Sequence, residues 1–180
     1  LGLEGNEPLI GAGGNDQIEG GDGDDLLQGN DGDDYLDGGA GDNQLYGGDG
    51  YDELYGGDGN DLLDGGAGCD YLVGGNGANS YLFEQGTGLD FIQARLADGQ
   101  DDTVIFGNGI TAADLEVQLG NQFWDFDAQA YKYATLVVGA GEDAFQIEIG
   151  GWEDVSQSSV RRFLFSDGTE LTLDQIIALN

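Results

Sequence analysis

The chain has 180 residues, of which 36 are Asp or Glu and 4 are Lys or Arg, so its formal net charge at pH 7 is −32. Such a charge excludes nucleic acid and anionic membrane surfaces as partners, because both would repel the chain. The absence of His and the single Cys exclude a Ser-His or Cys-His catalytic pair and a disulfide within the chain.

A nine-residue sequence of the form G-G-x-G-x-D-x-U-x, where U is apolar, repeats without a gap from Gly2 to Leu82. The first copy, GLEGNEPLI, is degenerate. The copies from Gly11 onward read GAGGNDQIE, GGDGDDLLQ, GNDGDDYLD, GGAGDNQLY, GGDGYDELY, GGDGNDLLD, GGAGCDYLV and GGNGANSYL. The three glycines supply positive φ values and room for close backbone approach, which predicts a turn over positions 1 to 6. Positions 7 to 9 are predicted to form a short strand whose eighth residue points inward.

Two repeats are predicted to form one coil of a parallel solenoid, with a turn and a strand on each side and about 4.8 Å between stacked coils. The inward apolar residues are Ile18, Leu27, Leu36, Leu45, Leu54, Leu63, Leu72 and Tyr81. Position-6 residues of alternate repeats then stack in two rows. We name these rows the Asp edge, formed by Asp16, Asp34, Asp52 and Asp70, and the mixed edge, formed by Glu7, Asp25, Asn43, Asp61 and Asn79.

The repeat continues in altered form beyond Leu82. After a two-residue insertion, QGTGLDFIQ has Asp90 at the sixth place and Ile92 at the inward one. The fainter ADGQDDTVI has Asp102 and Val104 at the equivalent places. If the register is kept, Asp90 extends the Asp edge and Asp102 extends the mixed edge.

The stacked position-6 carboxylates indicate that a cation binds between neighbouring coils. Two carboxylates about 5 Å apart repel by roughly 3 kcal/mol at an effective dielectric constant near 20. Carboxylate and turn carbonyl oxygens suit calcium better than magnesium, which prefers tighter octahedral geometry, or zinc, which prefers His and Cys. The predicted metal ligands are Asp16, Asp25, Asp34, Asn43, Asp52, Asp61, Asp70, Asn79, Asp90 and Asp102.

A sequence rich in Gly, Asp and Asn is often simply disordered. Here, consecutive in-register copies with an apolar residue at every eighth position favour a fold that binds calcium. Short strands with one inward residue in nine bury little surface, so we expect the metal-free array to be expanded.

From about Thr103 ordinary strands are predicted at TVIF, LEVQL, ATLVV, AFQIEI, RRFLF and ELTL. A short helical turn is predicted after the N-cap candidate Thr111, and a last helix is predicted around Leu173 to Leu179 with Thr172 or Asp174 to start it. Aromatic residues that could form a core concentrate here, namely Phe123, Trp124, Phe126, Phe145, Trp152, Phe163 and Phe165. The fold class is therefore all-β, with a parallel β-roll over residues 1–94 and a β-rich cap with short helices over residues 95–180.

The nonapeptide is similar to the calcium-binding repeat of the RTX (repeats-in-toxin), haemolysin-type family. The phrases YLFEQGTGLDFIQ, DDTVIFGNGITAADL, GGW and RRFLFSDGTELTLDQI resemble the C-terminal block that follows such repeats. The resemblance implies a right-handed β-roll with several calcium ions. It also implies a toxin-related, secreted bacterial protein, exported by type I secretion machinery and folding outside the cell.

No catalytic role is expected, because with so many carboxylates a pair at glycosidase spacing carries no information. We expect neither a membrane span nor an N-terminal signal peptide. One alternative is an adhesin or carbohydrate-binding module, which Tyr35, Tyr55 and Tyr71 on one sheet would favour; a protein partner is also open. The other alternative is the non-catalytic tail of a secreted enzyme.

Overall fold

A computed structural model of the chain describes residues 4–84, 86–93, 101–107, 109–119, 123–125, 130–133, 135–140, 143–148 and 158–179. The strands in these ranges are β1 (Pro8–Ile10), β2 (Gln17–Asp22), β3 (Leu26–Asp31), β4 (Tyr35–Ala40), β5 (Gln44–Gly50), β6 (Glu53–Asp58), β7 (Leu62–Gly68), β8 (Tyr71–Asn76), β9 (Ser80–Phe83), β10 (Leu89–Ile92), β11 (Asp102–Phe106), β12 (Glu116–Leu119), β13 (Phe123–Asp125), β14 (Ala130–Tyr133), β15 (Thr135–Ala140), β16 (Asp143–Glu148), β17 (Val160–Leu164) and β18 (Glu170–Thr172). A 3-10 turn spans Ala112–Asp114, and the helix α1 spans Leu173–Ile177.

The strands form two long sheets, as the two-repeat coil predicts. Sheet 1 has the order β1-β3-β5-β7-β9-β11-β17-β18, and sheet 2 has the order β2-β4-β6-β8-β10-β16-β15-β12. Neighbouring strands of the array pair in parallel, so that Leu27 lies opposite Leu45 in the next coil. The predicted parallel β-solenoid is therefore confirmed. Each sheet becomes antiparallel near its end, at β16 with β15 and at β17 with β18.

The strands of the array are longer than predicted. The strands β2 to β8 cover six or seven residues, because positions 2 and 3 of the following repeat also pair with the next coil. The prediction of three-residue strands is therefore wrong. The physical reason is that a position-2 residue with positive φ lets the chain bend and still pair with the next coil, as Gly39 does at φ 93°. Asn30 adopts the same conformation at φ 81°, and its amide donates to the carbonyl of Gly11 at 3.0 Å.

The predicted inward residues form a continuous buried core. Leu27, Leu36, Leu45, Leu54 and Leu63 are all fully buried. The same core continues through Ile92, Val104, Phe106, Ile147, Val160, Phe163, Phe165, Leu173 and Ile176. Both sheets and the core therefore extend past residue 94, and the division into a roll and a cap at that residue stays a prediction.

A backbone ladder fixes the register of the position-6 residues. The N–H of each position-7 residue donates to the position-6 carbonyl of the preceding coil, as Leu26 does to Glu7 at 3.0 Å. The same bond joins Phe91 to Asp70 at 2.7 Å and Thr103 to Asn79 at 2.8 Å. The irregular strands β10 and β11 thus regain the register that the sequence predicted.

The predicted strands and helix caps of the second half are present. Thr172 Oγ1 accepts from the N–H of Gln175 at 3.3 Å, and the N–H of Thr172 donates to Gln175 Oε1 at 2.8 Å. Phe163 and Phe165 are buried as expected. Phe123 and Trp124 belong to β13 and Phe145 belongs to β16, whereas Phe126, Trp152 and the GGW segment lie outside the described residues. No helix in the described part of the chain is long and apolar enough to cross a membrane.

Candidate metal sites at the turn edges

The position-6 side chains stack in the two predicted rows. From Asp25 to Asp102, one side-chain oxygen of each position-6 residue accepts the position-6 backbone N–H of the preceding coil, at 2.7 to 3.2 Å. Asp90 accepts from Asp70 at 3.2 Å and Asp102 from Asn79 at 2.7 Å, so both rows extend beyond the regular array. All ten predicted ligands therefore lie on the edges where the sequence put them.

The second oxygen of most of these carboxylates is buried without a hydrogen-bond donor. Within the described residues this holds for Glu7 Oε2 and for Oδ2 of Asp25, Asp34, Asp52, Asp61 and Asp70. A buried acceptor without a donor is costly, and a row of them is more costly still. The arrangement therefore calls for positive charge at these oxygens.

The orphan oxygens of the aspartates face small spaces beside the position-1 glycines of their own repeats. A Cβ added to Gly56 would lie 2.5 Å from Asp61 Oδ2 and 2.5 Å from the carbonyl oxygen of Gly74 in the next coil. A Cβ added to Gly20 would lie 2.7 Å from Asp25 Oδ2 and against the carbonyl oxygen of Gly38 in the next coil. The missing side chain thus leaves room where a carboxylate and a backbone carbonyl converge, and such oxygens are the ligands that calcium takes.

These sites are built mainly from single carboxylates and backbone carbonyls. Among the described residues, no three or more Asp, Glu, Cys or His side chains converge into a group that could hold a metal ion. The donor set matches a hard cation and offers neither the nitrogen nor the sulfur that zinc prefers.

Burial raises the pKa of several of these carboxylates. Burial raises the pKa of Asp52 to about 7; the N–H of Asp34 counteracts this, and the neighbouring carboxylates of Asp70 and Asp34 add to it. Burial raises the pKa of Asp61 only to about 6, because both hydrogen bonds with Asn43 lower it. At the end of the Asp edge, burial and the Asp70 carboxylate raise the pKa of Asp90 to about 8.

The two asparagines of the mixed edge present a different group to the same space. Asn43 Oδ1 accepts the N–H of Asp25 at 2.9 Å, so its Nδ2 occupies the place of the orphan oxygen. A Cβ added to Gly38 would meet that nitrogen at 2.8 Å. Asn79 is arranged in the same way, with Oδ1 accepting from Asp61 at 3.0 Å. In this arrangement their amide oxygens are engaged in the ladder, and an amide donor faces the space.

Tyr81 has a role that the sequence did not predict. Its hydroxyl accepts the buried N–H of Gly74 at 3.0 Å. A Cβ added to Gly74 would lie 2.6 Å from this hydroxyl, whereas at Gly56 the corresponding neighbour is the carbonyl of the next coil. Tyr81 thus replaces a backbone partner where the regular repeat ends, and its burial raises the pKa of the phenol above the usual range.

The predicted tyrosines on the outward face of sheet 2 form an aromatic row. Ring centroids are 5.3 Å apart for Tyr35 and Tyr55 and 6.2 Å apart for Tyr55 and Tyr71. Phe91 extends the row at 5.6 Å from Tyr71. The rings are partly buried against one another.

Comparison with known proteins gives a match over the array. The model of the RTX calcium-binding nonapeptide repeat matches in four copies, at residues 1–36, 10–45, 19–54 and 46–81. No curated protein matches the chain.

Solved structures that are similar to this chain include a lipase and a subunit of an epimerase. The extracellular lipase LipA from Serratia marcescens is 16% identical over 87% of this chain and 38% of the lipase, with a TM-score of 0.34. The AlgE6R3 subunit of the Azotobacter vinelandii mannuronan C5-epimerase is 27% identical over 82% of this chain and 73% of that subunit, with a TM-score of 0.36. This chain therefore spans less than half of the lipase.

Proposed function

Since residues 1–81 are an array of RTX calcium-binding nonapeptide repeats, we propose that the chain is a calcium-binding module of a larger secreted bacterial protein that folds when calcium binds outside the cell. The observation that carries this proposal is the row of buried carboxylate oxygens without donors among the described residues, of which those of Asp25, Asp34, Asp52 and Asp61 lie beside a backbone carbonyl of the next coil.

The residues that would hold the ions follow from that geometry. On the Asp edge they are Asp16, Asp34, Asp52, Asp70 and Asp90, with the carbonyls of the adjoining position-1 glycines. On the mixed edge the carboxylates are Asp25, Asp61 and Asp102. Bound calcium supplies the positive charge that offsets the repulsion between stacked carboxylates. The chain contributes the stacking register, the spaces at the glycines and the exclusion of water.

Weak sites are sufficient for calcium to decide whether the chain folds. Sites with dissociation constants of about 10⁻⁴ to 10⁻³ M each contribute around 1 kcal/mol at millimolar calcium, and the contributions add. In a cytosol with little calcium the chain then stays expanded, which suits export by type I secretion machinery. Outside the cell, binding and folding occur together.

The proposed function is not catalytic. The chain has no His, and the orphan carboxylates are engaged in stacking along the turns. The aromatic row supports a second candidate, a calcium-stabilised module that binds glycans. Rings of Tyr35, Tyr55, Tyr71 and Phe91 could contact sugar rings, and a glycan array with Tyr55→Ser as the negative control would test this.

Circular dichroism and small-angle scattering would test the calcium proposal. We expect the chelated chain to be expanded with little β-structure, and to become compact cooperatively on adding calcium but not equal magnesium. A chelated chain that is already compact and rich in β-structure, or an equal response to both ions, would refute the proposal.

A further inference from the structure

A second row of side chains, at position 5 of the repeats, links the turns at their outer rim. On the mixed edge each position-5 oxygen accepts the position-5 backbone N–H of the following coil. The donor–acceptor distances are 3.1 Å for Asp24 to Asn6, 2.9 Å for Asp42 to Asp24, 2.7 Å for Asn60 to Asp42 and 2.9 Å for Ala78 to Asn60. The sequence did not predict this row.

The position-5 and position-6 rows hold each turn from opposite sides. The N–H of Asn60 donates to Asp42 in the preceding coil at 2.7 Å. The next N–H along the chain, that of Asp61, donates to Asn79 in the following coil at 3.0 Å. Two consecutive peptide groups are therefore fixed just where the Asp61 carboxylate faces its space, and neither bond needs a metal ion.

On the Asp edge the position-5 row is incomplete. The side-chain oxygen of Asn15 accepts the N–H of Asp33 at 3.2 Å, and Asp33 Oδ1 accepts the N–H of Tyr51 at 3.0 Å. Tyr51 has no carboxyl or amide oxygen to continue it, and its side chain is 66% exposed. No acceptor for the N–H of Cys69 is found among the described residues. At this turn the N–H of Asp70 donates to Asp90 at 3.2 Å, the longest bond of the position-6 row, and the N–H of Gly68 donates to the carbonyl of Thr87 at 2.8 Å. The Tyr51 hydroxyl reaches the Cys69 side chain rather than its peptide N–H.

We propose that the position-5 oxygens are positioning residues that hold the turns ready for calcium, and that Tyr51 weakens this effect at the Asp52, Asp70 and Asp90 end of the Asp edge. This inference rests on the proposed function. Turns that are already ordered lose less conformational freedom when the ion binds, so their sites bind it more tightly. The Asp edge therefore has more carboxylates, whereas the mixed edge has better ordered turns.

Restoring the missing acceptor tests the inference. Tyr51→Asn supplies an oxygen for the N–H of Cys69, and Tyr51→Ala is the matched control that removes the ring without adding one. We expect Tyr51→Asn to lower the half-saturating calcium concentration about two- to tenfold relative to Tyr51→Ala, as one added hydrogen bond would. In crystals grown at limiting calcium, occupancy of the Asp edge should rise relative to the mixed edge.

The reciprocal change uses the mixed edge. Asn60→Ala removes an acceptor without changing charge and should lower occupancy of the mixed edge relative to the Asp edge, while Asn60→Asp should restore it. An equal change on both edges would show a general effect on stability and overturn the inference. Equal half-saturation for Tyr51→Asn and Tyr51→Ala would overturn it too, while leaving the proposed function intact. A parent chain that binds no calcium would overturn both.

Discussion

The backbone N–H of Asp34 donates to Oδ1 of Asp52 at 2.8 Å, and the other oxygen of the same carboxylate is buried without a donor among the described residues. One carboxylate thus has two separate roles. Its first oxygen sets the distance between coils, and its second oxygen creates the demand for a cation. Substitutions that keep one role and remove the other can separate them.

Asp52→Asn should reduce calcium affinity more than Asp61→Asn. Asp52 has a carboxylate on each side, whereas Asp61 lies between Asn43 and Asn79, and the charge of the ligands helps to set calcium affinity. We expect the midpoint of the calcium titration to shift about fivefold further for Asp52→Asn, equivalent to roughly 1 kcal/mol of lost attraction. Equal shifts for the two variants would contradict the difference between the edges.

Gly56→Ala should abolish calcium binding at the adjoining site. The new methyl group would fill the space between Asp61 Oδ2 and the Gly74 carbonyl, at a cost of about 1 to 3 kcal/mol for overpacking. Gly13→Ala is the control, because its Cβ would meet no atom closer than 4.0 Å and its φ is not positive. Calorimetric titration should show one site fewer for Gly56→Ala alone; an unchanged number of sites would be evidence against the assignment.

Lowering the pH should compact the calcium-free chain. The folded-state pKa values are raised to about 7 for Asp52, about 6 for Asp61 and about 8 for Asp90. The folded form therefore binds more protons than the unfolded form, whose aspartates titrate near pH 4. Its stability is greatest below about pH 4 and is lost as the pH rises through about 6 to 8. Circular dichroism in buffer stripped of calcium should show more β-structure at pH 5 than at pH 8, and the opposite trend would refute this reasoning.

Tyr81→Phe should destabilise the calcium-bound chain although it removes a single oxygen atom. The buried N–H of Gly74 would lose its acceptor, which costs about 1 to 3 kcal/mol. Tyr46→Phe is the matched control, since that hydroxyl is exposed and lies 3.5 Å from Gln44 Oε1. Urea unfolding at saturating calcium measures both variants, and equal midpoints would show that the Tyr81 hydroxyl contributes little.

The features that depend on the period of the repeat could be predicted from the sequence. The burial of Leu27 and the stacking of Asp52 over Asp34 both follow from it. The features that depend on backbone partners could not. Position 5 holds Asn, Asp, Tyr, Cys or Ala, and its bonds join a side chain to a peptide N–H that has no sequence signature. The hydrogen bond from the N–H of Gly74 to the Tyr81 hydroxyl could not be predicted either. Tyr81 also fits the pattern of an inward apolar residue, so nothing in the sequence indicated that its hydroxyl has a partner.

Pro8 removes one bond from the backbone ladder that sets the register of the coils. In the coils that follow, the residue at this position uses its N–H to reach the coil before it, as Leu26 does to Glu7. Pro8 has no N–H to offer, so any strand that pairs with β1 on that side, from this protein or from another molecule, forms one hydrogen bond fewer than a strand between two regular coils.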